Sequence, residues 1–80
     1  MPVVFRYKGY RFFFYSTEGS PREPVHVHVR AGGGEAKLWL KPLVRVADSQ
    51  GFDAGTLREL VNVATANTEI IERAWHEYFG

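Results

Sequence analysis

Six consecutive residues, Val25-His26-Val27-His28-Val29-Arg30, alternate strictly between valine and a polar or cationic side chain. Period-two alternation puts the three valines on one face of a β-strand and His26, His28 and Arg30 on the other. One face builds a core. The other presents titratable and cationic groups, and any function is expected there.

Two hairpins follow from the same logic. Residues 3–7 and 10–15 flank Lys8-Gly9, a two-residue connection suited to a type I′ turn. That register sets Tyr7 opposite Tyr10, Phe5 opposite Phe12 and Val3 opposite Phe14, all on the core side. Val4, Arg6, Arg11, Phe13 and Tyr15 take the other side, with Arg6 directly opposite Arg11, an unfavourable pair unless something anionic lies over it. Residues 16–24 carry Gly19, Pro21 and Pro24 and read as a loop. In the second hairpin, residues 25–30 and 35–41 flank Ala31-Gly32-Gly33-Gly34. Here Arg30 pairs with Glu35, His28 with Lys37 and His26 with Trp39, while Val29, Val27 and Val25 meet Ala36, Leu38 and Leu40. Both registers sort apolar side chains to one face, as a one-sided antiparallel sheet requires. Pro42 interrupts the ladder, residues 43–47 add a short edge strand, and residues 48–51 form a turn.

Asp53 is a good N-cap, and Phe52 and Leu57 occupy the two positions of a hydrophobic staple. From there to Phe79, Leu57, Leu60, Val61, Ala64, Ile71, Trp75, Tyr78 and Phe79 fall on one helical stripe. The phase survives Asn67-Thr68, which favours one long helix, bent there, over two. A straight helix of that length spans about 39 Å, more than the about 30 Å of an 80-residue domain. Val63, Ala66, Ile70 and Ala74 widen its apolar arc further. Either the helix bends, or its far end packs on a second copy or a companion protein.

The expected architecture is therefore α+β over residues 1–80 as a single domain. Four or five antiparallel strands, in two hairpins, carry one long C-terminal helix on the valine face. The chain has no cysteine, which rules out disulfides and thiolate metal sites and is compatible with a cytoplasmic location. No apolar run suggests a signal peptide or a membrane span. Net charge is only +1, but residues 1–45 hold eight Lys/Arg against three acids, and residues 46–80 hold two against six. The basic half either attracts the acidic half or offers a surface to a polyanion.

The polar sheet face collects Arg6, Arg11, Phe13, Tyr15, His26, His28, Arg30, Lys37, Trp39 and Lys41. Cations interleaved with aromatics suit single-stranded nucleic acid, the cations meeting phosphates and the rings stacking on bases. The competing reading is a face half-covered by a loop or a second subunit. His26 and His28, about 7 Å apart along the strand, suit an acid–base pair for phosphodiester cleavage. Two ligands define no metal site. Glu18 and Glu23 are the nearest candidates for a third, and His76 falls on the polar helix face as a partner for Glu72, so neither a metal nor a cofactor is expected. The glycine run lacks a following helix and makes no phosphate loop, and no nucleophile motif is present.

Four blocks carry a family resemblance: Gly9-Tyr10-Arg11-Phe12-Phe13-Phe14-Tyr15-Ser16, Glu23-Pro24-Val25-His26-Val27-His28-Val29-Arg30, Glu35-Ala36-Lys37-Leu38-Trp39-Leu40 and Ala74-Trp75-His76-Glu77-Tyr78-Phe79-Gly80. Together, over nearly the whole chain, they resemble a small prokaryotic family, domain of unknown function 4160. Members usually read Pro-Pro-His-Val-His-Val at the loop–strand junction; here Pro24 stands beside Val25 and Glu23 takes the other position. The resemblance implies a stand-alone protein, often encoded beside another small protein in the manner of a toxin–antitoxin pair. It supplies no catalytic residue, but His26, His28 and Arg30 belong to its signature. The leading expectation is a binding module, toxin–antitoxin-like, that holds RNA or a protein partner on its basic–aromatic sheet face. One alternative is a small ribonuclease using His26 and His28 as acid and base. The other is a structural protein whose sheet face mediates oligomerisation.

Overall fold

The computed structural model describes residues 2–17 and 23–80. These form five strands, β1 (Val3–Tyr7), β2 (Tyr10–Phe13), β3 (His26–Ala31), β4 (Gly34–Trp39) and β5 (Arg45–Gln50), then two helices, α1 (Ala54–Ala66) and α2 (Thr68–Phe79). All neighbouring strands are antiparallel, in the order β1-β2-β3-β4-β5. Of the expected loop, residues 18–22, with Glu18, Gly19, Ser20 and Pro21, lie outside the described residues.

Turn chemistry sets the first hairpin. Lys8 and Gly9 both take positive φ, 47° and 82°, the signature of the expected two-residue turn. Tyr7, Arg6 and Phe5 meet Tyr10, Arg11 and Phe12 as expected, but Val3 meets Phe13 rather than Phe14. A bulge between Val3 and Phe5 shifts the ladder by one. In the second hairpin every expected pair from His26–Trp39 to Arg30–Glu35 is present. At its base the Leu40 N–H donates to the Val25 carbonyl at 3.2 Å. The loop is shorter than expected, because Ala31 pairs with Gly34 and leaves only Gly32-Gly33. Gly34 belongs to the strand for a packing reason: a Cβ there would collide with the Phe52 ring.

β5 runs further than the edge strand expected at 43–47. Asp48, Ser49 and Gln50 pair with Lys37, Ala36 and Glu35 instead of turning. Ladder bonds and the opposed Lys37 and Asp48 charges override the turn preference of that segment.

The helical segment is two helices, not one long helix. Asp53 caps α1, its carboxylate accepting the Thr56 N–H at 2.7 Å. At Asn67 the backbone leaves helical geometry (φ −120°, ψ 22°) and the N–H turns back to the Ala64 carbonyl. The Asn67 amide donates to the Val63 carbonyl, and the Thr68 hydroxyl donates to the Ala64 and Thr65 carbonyls. Side chains thus take up carbonyls that a continuous helix would bond with backbone N–H groups. α2 then starts afresh, the Ile71 N–H bonding the Asn67 carbonyl. Splitting the segment lets both helices lie on the sheet. Leu60 and Ala64 of α1 and Ile71 and Trp75 of α2 join Phe12, Phe14, Val27, Val29, Ala36, Leu38, Leu40 and Val44 in one core.

Candidate functional site at the sheet face

Alternation places His28, Arg30, Glu35 and Lys37 on the side of β3 and β4 away from the valines, as the sequence predicts. Their exposure differs from expectation. Phe13 is 1% exposed, His28 7% and His26 0%. These three were expected to present themselves to a ligand, and they are buried. The Tyr15 ring, just beyond β2, lies edge-on to both His28 (4.5 Å between centroids) and Phe13 (5.1 Å). His28 stacks on Phe13 at 5.6 Å. On the far side of the loop, the Glu23 carboxylate meets the Lys37 ammonium at 3.0 Å. Tyr15 and Glu23 therefore both lie over the centre of this face.

His26 corrects the expectation most sharply. Its ring lies 4.9 Å from the Trp75 indole of α2, 5.5 Å from Trp39 and 5.2 Å from His28. Its Nδ1–H donates to the Pro24 carbonyl at 2.9 Å, which fixes the tautomer. Alternation chooses a side of the sheet, but an indole reaching from the helix to the first residue of a strand covers the ring regardless. His26 is shielded from water and cannot serve as one half of a surface acid–base pair.

Glu35 is the hub of what remains. Its carboxylate accepts from Arg30 Nη2 (2.6 Å), Arg30 Nε (3.1 Å) and the Tyr15 hydroxyl (2.8 Å). Arg30 Nη2 also donates to the Tyr15 oxygen at 3.0 Å. His28 Nδ1 stands 3.9 Å from the same carboxylate. Burial pulls the Glu35 carboxyl upward, but bonds from Arg30 and Tyr15 and the Arg30 charge outweigh it and hold the group below its ordinary range. The cross-strand Arg30–Glu35 pair was legible as opposite charges in register; Tyr15 as its third member was not. Beside this network a polar cavity of about 290 Å³ is lined by His28, Glu35, Lys37, Asp48, Ser49 and Gln50. The last three became visible only with β5 in place. No group of three His, Asp or Glu that could hold a metal ion occurs among the described residues.

The expected cations divide into two sets. Arg30 is held by Glu35, Lys37 by Glu23 while lying 4.5 Å over the Trp39 ring, and Lys41 by Glu72 at 3.3 Å. Arg6 and Arg11 face each other across β1 and β2, and Arg11 neighbours Arg30 on β3. Neither Arg6 nor Arg11 has a carboxylate partner among the described residues. Trp39 and Tyr15 are half-buried and engaged. The structure thus brings Tyr15, His28, Arg30, Lys37 and Trp39 together at the centre of the face, and leaves Arg6 and Arg11 as a separate basic corner.

Among the described residues no helix is long and apolar enough to cross a membrane. Neither the curated proteins nor the solved structures contain a match to this chain. The family model described as Domain of unknown function (DUF4160) matches residues 9–76, which takes in β2 to β5, α1 and most of α2. That span holds the Arg30–Glu35–Tyr15 network with His26 and His28, and the chain belongs to the DUF4160 family.

Proposed function

We propose that this protein is a binding module whose basic corner, Arg6 with Arg11, grips an anionic segment of a protein partner. One observation carries the reading: Arg6 and Arg11 are paired across adjacent strands with no carboxylate partner among the described residues, whereas Arg30, Lys37 and Lys41 are each neutralised within the chain. Like charges directly opposite are destabilising, so an arrangement that keeps them is favoured when a partner supplies the counter-charge. RNA is the weaker candidate, because the rings a single strand would stack on, Phe13 and His28, are buried and Trp39 lies beneath Lys37. A surface ribonuclease is weaker still with His26 at 0% exposure. A toxin–antitoxin-like pair in the cytoplasm would supply a partner of the required kind.

Fluorescence anisotropy tests this with two labelled probes, a glutamate-rich peptide and an oligouridylate. The expected result is peptide binding that weakens as salt rises and disappears in Arg6→Glu/Arg11→Glu. Unchanged binding in that variant would sink the reading. Oligouridylate binding that quenches Trp39, with the peptide ignored, would transfer it to RNA.

A further inference from the structure

β1 carries three features that a basic corner alone does not use. It ends the sheet, so one backbone edge lies without a neighbouring strand among the described residues. Cavities open at both its ends on the helix side. One, about 540 Å³, lies between Tyr7 and α1 and includes Val63 and Ala66. The other, about 250 Å³, lies between Val3, Phe14 and α2 and includes Ala74 and Tyr78. Ile70, Ala74 and Tyr78 recur every fourth residue along α2, a row on one helical face, and Ala66 ends α1 at the other cavity. Val3, Ile70 and Tyr78 are 41%, 50% and 47% exposed. Ala66, Ile70 and Ala74 belong to the apolar arc that the sequence shows in excess of one core-facing stripe, whereas Tyr78, expected on that stripe, is half-exposed.

We propose that β1 accepts a sixth strand from another protein, an extended segment whose side chains alternate between apolar and acidic. Side chains of an added strand would alternate between the faces as those of β1 do from Phe5 to Tyr7, beyond the bulge. On the helix side they would meet the two cavities. The bulge pairs Val3 with Phe13 and leaves Val4 and Tyr7 packed on the core side at the two cavities, three residues and about 10 Å apart along the strand, so the apolar anchors belong about that far apart. On the opposite side the intervening residues would meet Arg6 and Arg11, which calls for acids there. Only this acidic half rests on the binding reading above; the edge and the cavities are independent of it.

A second copy is a poor occupant. β1 has the sequence Val-Val-Phe-Arg-Tyr, with no acid, so β1-to-β1 pairing would bring two sets of Arg6 and Arg11 onto one face without a carboxylate. Pairing β1 with β5 of another copy leaves a free edge at each end and propagates as a filament.

The test uses the full chain, isotope-labelled, and three synthetic peptides: one alternating valine and glutamate, the same peptide with alternate backbone nitrogens methylated, and an all-glutamate control. The expected result is that only the alternating peptide slows amide exchange in β1, and that Ile70→Asp/Tyr78→Asp weakens its binding about tenfold or more. If all three peptides bind alike through Arg6 and Arg11, strand addition is overturned and the basic corner stands. If the alternating peptide still binds Arg6→Glu/Arg11→Glu and methylation abolishes it, strand addition stands and the basic corner falls. A dimer in sedimentation that Tyr78→Asp dissociates, or no peptide binding at about 1 mM, overturns the proposal.

Discussion

The centre of the sheet face, closed over by side chains, and its open β1 end treat their arginines in opposite ways. At β3 and β4, Arg30 is gripped by Glu35 through two nitrogens, and Tyr15 closes the triangle. At β1 and β2, Arg6 meets Arg11 and no acid answers either among the described residues. The first arrangement satisfies its own charges and covers Phe13 and His28, so its role is to tie Tyr15 to the sheet. The second leaves electrostatic work undone inside the chain, and an unmatched charge pair is a more specific pointer to a partner than a matched one. His26, His28 and Arg30 build the closed centre, while the open end holds Arg6 and Arg11, unmatched among the described residues.

The comparison breaks first if the closed centre is not closed. Phe13→Ala is expected to cost about 3–5 kcal/mol by urea unfolding, the range of a fully buried phenylalanine; a cost near zero would return Phe13 to the solvent face. His26→Ala follows at about 2 kcal/mol, from lost packing on Trp75 and a Pro24 carbonyl left without its donor, against less than about 0.5 kcal/mol for Arg6→Ala. Equal losses in the two variants would erase the distinction.

Glu35→Gln sharpens it. Glu35 is partly exposed, so solvent screening keeps the expected loss near about 1 kcal/mol at neutral pH. Its folded pKa lies below the unfolded value, so its contribution is present above about pH 4.3 and fades as pH falls through the folded value. Wild type and Glu35→Gln should therefore converge in acid; a gap that persists at pH 2 would show that the charge is not what stabilises the cluster. The smallest expected effect has the opposite sign. Arg11→Glu replaces a repulsion with an attraction to Arg6 and should raise stability by about 0.5 kcal/mol while abolishing capture of the acidic probe. Loss of stability together with binding would mean that Arg11 is structural.

Much of the pairing was readable beforehand. Lys8-Gly9 fixed one register and strict valine alternation fixed the other, so His28 opposite Lys37 and Arg6 opposite Arg11 followed from position alone. The bulge before Phe5 did not, because alternation carries no mark of an inserted residue. The helix break was half-legible: Asn67-Thr68 marked the place, but hydrophobic phase alone could not say that their side chains would capture the Val63, Ala64 and Thr65 carbonyls. The excess apolar arc was also visible, and it stays exposed at Ile70 even though the helix divides; Tyr78, expected on the core-facing stripe, is exposed instead.

What the chain determined by itself is which side of the sheet each residue takes, since backbone sterics and turn geometry act over a few neighbouring residues. What only the tertiary structure decided is which of those side chains meet water. Phe13, His26 and His28 lose it to Tyr15 and to Trp75, the latter 49 positions beyond His26 and brought there by the fold. Exposure depends on what packs above a residue, and that is set by contacts distant in sequence, which no local pattern records.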